Sequence, residues 1–406
     1  MSNDVWKTGL KVVYAKEEHP TEVVKSIFLA GPTPRDKDTT SWRPEAIELL
    51  EKLGYDGHVF VPEPRDGKFA GDYVDQVEWE TQALNQADVI VFWVPRSMRT
   101  MPALTTNIEF GLWADTGKCV LGTPPEAEHV RYFQWIATKM KIPNYSTLEA
   151  TLQEAIAKVG EGAFRKGGDA QIPLHVWSHP TFQAWLISQK AVGNRIESAR
   201  VLWTFRVGQQ LEKVFSWSVH VNIFVQSENR FKMNEYVVGR TDTSTVVLYY
   251  KPDIGSVTDI EMVLVREFRS PARTPNGFIT EFPGGSTSTT AGADSAVEEL
   301  EEETSLKIEP SRLRQLSQLQ LAGTMSAHTS TLFAAELTKE ERDKVKALSE
   351  SGKTFGVKED TEITYLELMT VGEILKSSLV DWTTLGMILN TLITDDRLSL
   401  RILPKQ

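Results

Sequence analysis

Between residues 26 and about 160 the chain alternates short, uninterrupted apolar runs with amphipathic stretches of helical length: SIFLAG, PEAIELLEKLG, HVFVPE, VEWETQALNQ, ADVIVFWVP, IEFGLWADTG and KCVLG. Apolar runs without polar alternation are strands buried on both faces, and helix-length segments between them are the crossovers of a parallel sheet. The pattern predicts a doubly wound α/β domain with helices on both faces. In such sheets the ligand lies beyond the carboxyl ends of the strands. That directs attention to AGPTPR after the first strand and to VPRS after a later one.

A helical stretch, TLEATLQEAIAKVGEGAFRKGGDAQ, then runs into Gly167 and Gly168, which places a domain boundary there and divides the chain into residues 1–165 and 166–406. A length of 406 residues agrees with two domains. Beyond the boundary, FQAWLISQKAVGNRIESARVLW reads as helix and SWSVHVNIFVQ as strand. STVVLYYK and DIEMVLVREFR read as strands, ADSAVEELEEETS as helix, and EITYLELM as a strand followed by one or two amphipathic helices. The second half is therefore expected to be α+β.

Charge and cysteine usage narrow the partners. A net charge of −11 offers no general attraction to duplex nucleic acid or to an anionic membrane, so phosphate recognition has to come from a local pocket for a small molecule. The single cysteine, Cys119, lies in an apolar run and reads as a small core residue, which excludes an internal disulfide and cysteine-based zinc sites. The segment MSNDVWKTGLKVVYAKEE has no leader-like apolar core, and no run reaches the roughly 18 apolar residues of a membrane span. A cytoplasmic protein is expected.

Glu298, Glu299, Glu301, Glu302 and Glu303 set five carboxylates into six residues of a helix-favouring segment. Residues three and four apart share a helical face, so Glu299, Glu302 and Glu303 project together and repel one another. A solvated acidic face accommodates such a cluster, and so does a hard divalent cation such as Mg²⁺ or Mn²⁺. Glu281-Phe282-Pro283-Gly284-Gly285, followed by Ala293 to Leu306, resembles the Nudix box: Gly, five residues, Glu, seven residues, then Arg-Glu-hydrophobic-x-Glu-Glu-x-Gly-hydrophobic. Gly284, Glu299, Leu300, Glu302, Glu303 and Leu306 match, whereas Thr290, Glu298 and Ser305 stand where the pattern has Glu, Arg and Gly. VLVREFRSPARTPNGFITEFPGG is similar to the ADP-ribose pyrophosphatase-like branch. The resemblance, over roughly residues 235 to 390, implies a Nudix fold and metal-assisted attack of water on a diphosphate. It implies Mg²⁺ or Mn²⁺ held by Glu299, Glu302, Glu303 and, from the late acidic loop with Asp360 and Glu362, Glu359. Glu299 and Glu303 would be catalytic, Arg266 and Arg269 would lie near the substrate phosphates, and Glu281 would contact substrate from the strand before the box.

IFLAGPTPR, SWRPEAIELL, VFVPEPRDG, DQVEWETQALNQADVIVFWVPR and PALTTNIEFG, in this order from about Ile27 to Tyr132, resemble the nucleoside 2-deoxyribosyltransferase family, particularly its small bacterial branch. That resemblance implies a flavodoxin- or Rossmann-like parallel sheet. Cleaving an N–C glycosidic bond passes through an oxocarbenium-like state, which a carboxylate stabilises or captures while an acid protonates the departing base. The resemblance makes Glu109, in Asn107-Ile108-Glu109-Phe110-Gly111, the nucleophile, and Glu80, eight residues before Asp88, the residue that orients or protonates the base. The acid that the founding enzymes carry six residues before the nucleophile is replaced by Ala103, which favours hydrolysis over transfer. Gly31 lets backbone approach a ligand, and Arg35 and Arg43 are placed to grip a 5′-phosphate. Asn107 flanks the nucleophile, Asp72, Tyr73 and Asp75 belong to a loop at the pocket mouth, and Trp93 or Trp79 is available to stack on a base, with a core role as the alternative for each. The family also implies a homo-oligomer whose sites are completed by a neighbouring subunit.

The histidines add no metal site: His175 and His179 stand four apart, but Trp177 and Pro180 interrupt the helix that would align them. The expected function is a bifunctional nucleotide-processing enzyme that couples N-glycosidic cleavage to Mg²⁺-dependent hydrolysis of a nucleoside diphosphate derivative. One rival has NAD as substrate, with nicotinamide release and cofactor depletion as in a defence effector. The other has a catalytically inactive Nudix domain that senses a nucleotide and regulates the N-terminal enzyme.

Overall fold

The computed structural model describes residues 9–36, 38–67, 72–286, 292–356 and 362–398. The chain divides into two compact units, Met1–Arg240 and Thr241–Gln406. Glu359, like Thr290 and Asp360, lies outside the described residues. Among the described residues no helix is long and apolar enough to cross a membrane.

In the first unit β1 (Lys11–Tyr14), β2 (Glu22–Val23), β3 (Ser26–Ala30), α1 (Arg43–Lys52), β4 (His58–Val61), α2 (Tyr73–Gln86), β5 (Val89–Trp93), α3 (Leu104–Trp113), β6 (Cys119–Gly122), α4 (Arg131–Lys139), β7 (Asn144–Tyr145) and α5 (Leu148–Val159) follow in chain order. Six of these strands form one sheet in the order β1-β4-β3-β5-β6-β7, parallel at every pairing. β3 and β5 are buried along their whole length, as uninterrupted apolar runs require. One face of the sheet is covered by α1 and α5 through Ala46, Leu50, Leu152 and Ala155. The other is covered by α2, α3 and α4 through Ala83, Phe110 and Phe133. The doubly wound α/β expectation thus describes this sheet. Its strand order reverses beside β3, which has β4 on one side and β5 on the other, so the switch-point crevice opens past Ala30 and Trp93.

The first unit continues past Gly168. β8 (Arg165–Lys166) pairs with β2, and α6 (Leu174–Trp177) and α7 (Pro180–Ala191) lead into an antiparallel sheet of β9 (Arg195–Val207), β10 (Lys213–Val225) and β11 (Arg230–Arg240). The boundary expected at residues 165/166 therefore falls inside a compact unit. Arg165 donates to Asp88 and to the Ile172 carbonyl at 2.7 Å each, and the Leu174 amide donates to Asp88 at 2.8 Å, tying both sides of the glycine pair to the parallel sheet. The helix expected across FQAWLISQKAVGNRIESARVLW ends at Ala191. Gly193 takes φ +79°, and Arg195 onward is strand.

The second unit contains β12 (Thr243–Tyr250), β13 (Glu261–Phe268), β14 (Phe278–Glu281), β15 (Gly284–Gly285), α8 (Ala293–Thr304), β16 (Arg314–Gln320), β17 (Thr329–Glu336), α9 (Lys339–Glu350), β18 (Thr354–Phe355), β19 (Thr364–Thr370), α10 (Val371–Ile374) and α11 (Trp382–Thr394). Its mixed sheet runs β16-β17-β12-β13-β19-β18, with β14 on β13 and β15 on β12. Alternate residues separate two cores. Val246, Val263 and Leu366 pack with Leu300 of α8, and Val247, Leu264 and Tyr249 pack with Ile388 of α11. β17 and α9 carried no expectation; α9 is begun by a capping box between Thr338 and Glu341.

Candidate functional site

A cavity of about 610 Å³ lies at the carboxyl ends of β3 and β4, and Gly31, Arg35, Arg43, Glu80 and Glu109 all line it. α2 delivers Glu80 and α3 delivers Glu109. Asp72 starts α2 by accepting the Val74 amide at 3.0 Å. One turn in, Gln76 donates to the Pro62 carbonyl at 3.3 Å and to Glu80 Oε1 at 2.7 Å. This buried amide fixes Glu80 and carried no expectation, although its spacing of four from Glu80 on a helix was legible. α3 begins from Ala103, a cavity-lining residue held at φ +56°, a left-handed conformation that costs a non-glycine residue about 1–2 kcal/mol.

The two carboxylates oppose each other's ionisation. Burial is the main cause that moves Glu109 from 4.5 to about 7, Glu80 adds to it, and Arg43 acts against it. Burial likewise raises Glu80, while the Gln76 hydrogen bond and Arg43 draw it down. The cavity thus holds two carboxyls whose burial favours the protonated form of each.

Arg43 does not project free donors toward a ligand. It is fully buried, and it donates to Glu63 at 2.5 Å, to the Gly31 and Leu29 carbonyls at 2.7 and 3.1 Å, and to Thr33 at 3.1 Å. Its role in the fold is to brace the loop after β3. Arg35, which is exposed, also lines the cavity, as does Lys16, whose ammonium donates to the Asp72 carbonyl at 3.3 Å. Trp93 is buried in the α1–α5 core and Trp79 in the α2–α4 core, where its indole donates to the Glu17 carbonyl at 2.8 Å, so neither stacks in the cavity. Asp75 is exposed and does not line the cavity, because α2 has already begun at Tyr73; Asp72 and Tyr73 do line it. Asn107 sits on the exposed side of α3 and accepts from Arg96 at 2.5 Å, away from the lining.

At Gly31, φ is +151° and a Cβ would lie 2.2 Å from the Trp93 carbonyl oxygen and 2.9 Å from the Trp42 ring. Gly31→Ala is therefore expected to destabilise the first unit by about 1–3 kcal/mol or more, read as a lower urea midpoint. An unchanged midpoint would show that the loop can move aside.

In the second unit the register of β13 decides which expected residues meet. Arg266 shares a face with Leu264, on the α11 side of the sheet. It donates to Glu367 at 2.6 Å and lies over the Phe278 and Tyr365 rings at 5.0 and 4.4 Å. Glu267 points to the α8 side, and this residue carried no expectation although its alternation with Val263 and Val265 was visible. Arg269 donates to Glu281 at 2.6 Å and pairs with Glu267 at 2.9 Å, so its guanidinium is engaged by carboxylates. Arg266 is thus held on the sheet face opposite the α8 glutamates, and neither arginine is presented as a free phosphate grip.

Glu299 and Glu303 project from α8 toward this group, whereas Glu302 is exposed. A Cβ at Gly285 would lie 2.3 Å from a Glu299 carboxylate oxygen, and Glu303 accepts the Gly284 amide at 2.9 Å. Burial is the main cause that raises Glu303 well above the usual carboxyl range, with Glu362, Glu281 and Glu299 adding to it and the Gly284 amide opposing it. Burial also raises Glu299 and moves Glu267 to about 7. Among the described residues no group of three His, Cys, Asp or Glu side chains is arranged to hold one metal ion. The donors are nevertheless all hard oxygens that repel one another, the chemistry a divalent cation relieves.

Cys119 is buried at the start of β6, with its thiol pushed up to about 12 chiefly by burial, as a core residue would be. No curated protein matches the chain. Residues 24–127, the stretch from β3 to β6 that supplies Gly31, Glu80 and Glu109, match the family model described as "Nucleoside 2-deoxyribosyltransferase like", so this N-terminal region is similar to that family.

Proposed function

We propose that the N-terminal domain hydrolyses the N-glycosidic bond of a nucleotide. The observation that carries this reading is the Glu80–Glu109 pair in one cavity at the switch point of the sheet. Glu109 stabilises or captures the oxocarbenium-like state, and Glu80, held by Gln76, directs a proton to the departing base. Arg35 receives the 5′-phosphate, while Arg43 keeps the Gly31 loop in shape. Ala103 in place of a further acid leaves water as the acceptor.

The second unit is proposed to be a Nudix-type half that acts on a nucleoside diphosphate derivative. Glu299 and Glu303, with Glu302 and Glu359, would hold Mg²⁺ or Mn²⁺, which when bound offsets charge on substrate phosphates. A second reading, in which this half binds a nucleotide without hydrolysing it, is favoured by the engagement of Arg266 and Arg269 with carboxylates.

The test is incubation with NAD, ADP-ribose, ribonucleotides and deoxyribonucleotides, with and without Mg²⁺, and identification of products by mass. Free base that persists under chelation supports the glycosidase reading, because a carboxylate needs no metal. Absence of free base or nicotinamide from every substrate would sink it, and nicotinamide release would assign NAD as substrate. Diphosphate cleavage lost on chelation supports the Nudix reading. Glu299→Gln/Glu303→Gln is expected to weaken calorimetric Mg²⁺ binding at least about tenfold. Identical affinity in that variant would remove these glutamates from any cation site.

A further inference from the structure

A second cavity of about 600 Å³ opens in the first unit at the amino-terminal ends of β5, β6 and β7, the opposite end of the sheet from Glu80 and Glu109. Its wall includes Asp88, Gly117 and Pro143, just before those strands, and the turn joining β9 to β10. The volume is in the ordinary range for small-molecule pockets, about 300–1,000 Å³.

Lys141, Lys158 and Arg206 line it. Arg206 donates only to backbone carbonyls, of Asp115 at 2.8 Å and Leu211 at 3.2 Å. Neither lysine side chain makes a hydrogen bond or ion pair among the described residues. Lys118, just before β6, donates to the carbonyls of Leu84, Asn85 and Ala87 at 2.5 to 3.2 Å and lies over the Trp113 ring at 4.6 Å. Of the two lining carboxylates, Asp88 is neutralised by Arg165 at 2.7 Å, and Glu212 accepts the Gln210 amide at 3.0 Å. The lining thus sets three basic side chains against one carboxylate without an ion pair, Glu212, on a chain whose net charge is −11.

A buried polar atom without a partner and a close approach of backbone also belong to this wall. The Nδ1 of the lining residue His175 is buried without a hydrogen-bond partner. Burial first, then repulsion from Lys118, Lys158 and Arg206, holds this ring neutral with a pKa of about 3. Gly117, at φ +81°, leaves room where a Cβ would lie 2.9 Å from the Arg206 side chain, so the guanidinium rests against the backbone at the rim. The facing wall is apolar, with Met140, Ile142 and Val159.

We propose that this cavity is a second ligand site, for a phosphorylated small molecule of nucleotide size whose phosphate is held by Lys141, Lys158 and Arg206 and whose flat part lies on Ile142 and Val159. A phosphate neutralises these lining cations through charge-assisted hydrogen bonds, and the apolar wall gives the rest of the ligand a dry surface. The site takes no part in the glycosidic chemistry.

Calorimetric titration of the full-length Glu109→Gln protein with ADP tests this, compared with the same protein carrying Lys141→Gln/Lys158→Gln. Both lysines are exposed and their side chains make no hydrogen bond or ion pair among the described residues, so the fold is retained. The expected result is one ADP-binding event weakened at least about tenfold in the lysine variant, and adenosine, which lacks phosphate, binding both proteins alike. Superimposable ADP isotherms would overturn the site, and an equal loss of adenosine binding would overturn its assignment to phosphate.

Discussion

Glu109→Gln is expected to lower free-base release by at least about 10³-fold while leaving the protein folded. The amide keeps the shape of the side chain but supplies neither the negative charge that an oxocarbenium-like state requires nor a lone pair to capture it. The same substitution should make the protein more resistant to denaturation above neutrality. Glu109 has its pKa raised from 4.5 to about 7, so it contributes stability that is present below about 4.5 and lost as pH rises through about 7. Relative to acid, ionised Glu109 then disfavours the folded state by roughly 3 kcal/mol. Urea midpoints at pH 8 should therefore be higher for Glu109→Gln than for the unsubstituted chain, and similar at pH 4. An unchanged midpoint at pH 8 together with undiminished base release would remove Glu109 from both roles. The pH profile adds direction: base release that rises through about pH 7 marks Glu109 as the working carboxylate. A fall through that pH would exchange the roles of Glu109 and Glu80.

The residues that meet in the cavity past β3 and β4 were legible because they sit in strand-end and helix motifs of fixed period. Gly31 follows an apolar strand, and Glu80 and Glu109 belong to amphipathic helices whose buried faces are set by Ala83 and Phe110. What the sequence could not show was where long side chains point after folding. Arg43 follows the same strand and looks like a phosphate grip, yet Glu63, twenty residues away, claims its guanidinium. Arg266 and Glu267 are neighbours in the sequence, but the two-residue period of β13 sends them to opposite faces of the sheet. The glycine pair at Gly167 and Gly168 imitates a linker. Only the tertiary partners of Arg165 reveal that it is a turn inside a unit.

Arg165→Leu is expected to destabilise the first unit by about 3–5 kcal/mol, because it leaves Asp88 buried as an uncompensated charge. The two side chains are 0% and 1% exposed. Both guanidinium ends donate to Asp88 at 2.7 Å, and the remaining donors go to the carbonyls of Ile172, Val24 and Ala163 at 2.7, 3.0 and 3.2 Å. Asp88 in turn accepts Ser26 Oγ at 2.9 Å and the Leu174 amide at 2.8 Å. This one pair thus joins β3, β5, β8 and the start of α6, which lie on both sides of Gly168. Asp88→Leu/Arg165→Leu removes both charges together, so it should cost less than Arg165→Leu alone, and the comparison separates lost packing from the stranded carboxylate. A chain ending at residue 165 also loses the Ile172 carbonyl and the Leu174 amide. It should therefore unfold at lower urea than one ending at Arg240. Equal urea midpoints for those two fragments would return the domain boundary to Gly168, and equal midpoints for Arg165→Leu and the unsubstituted chain would show that the buried pair does not hold the unit together.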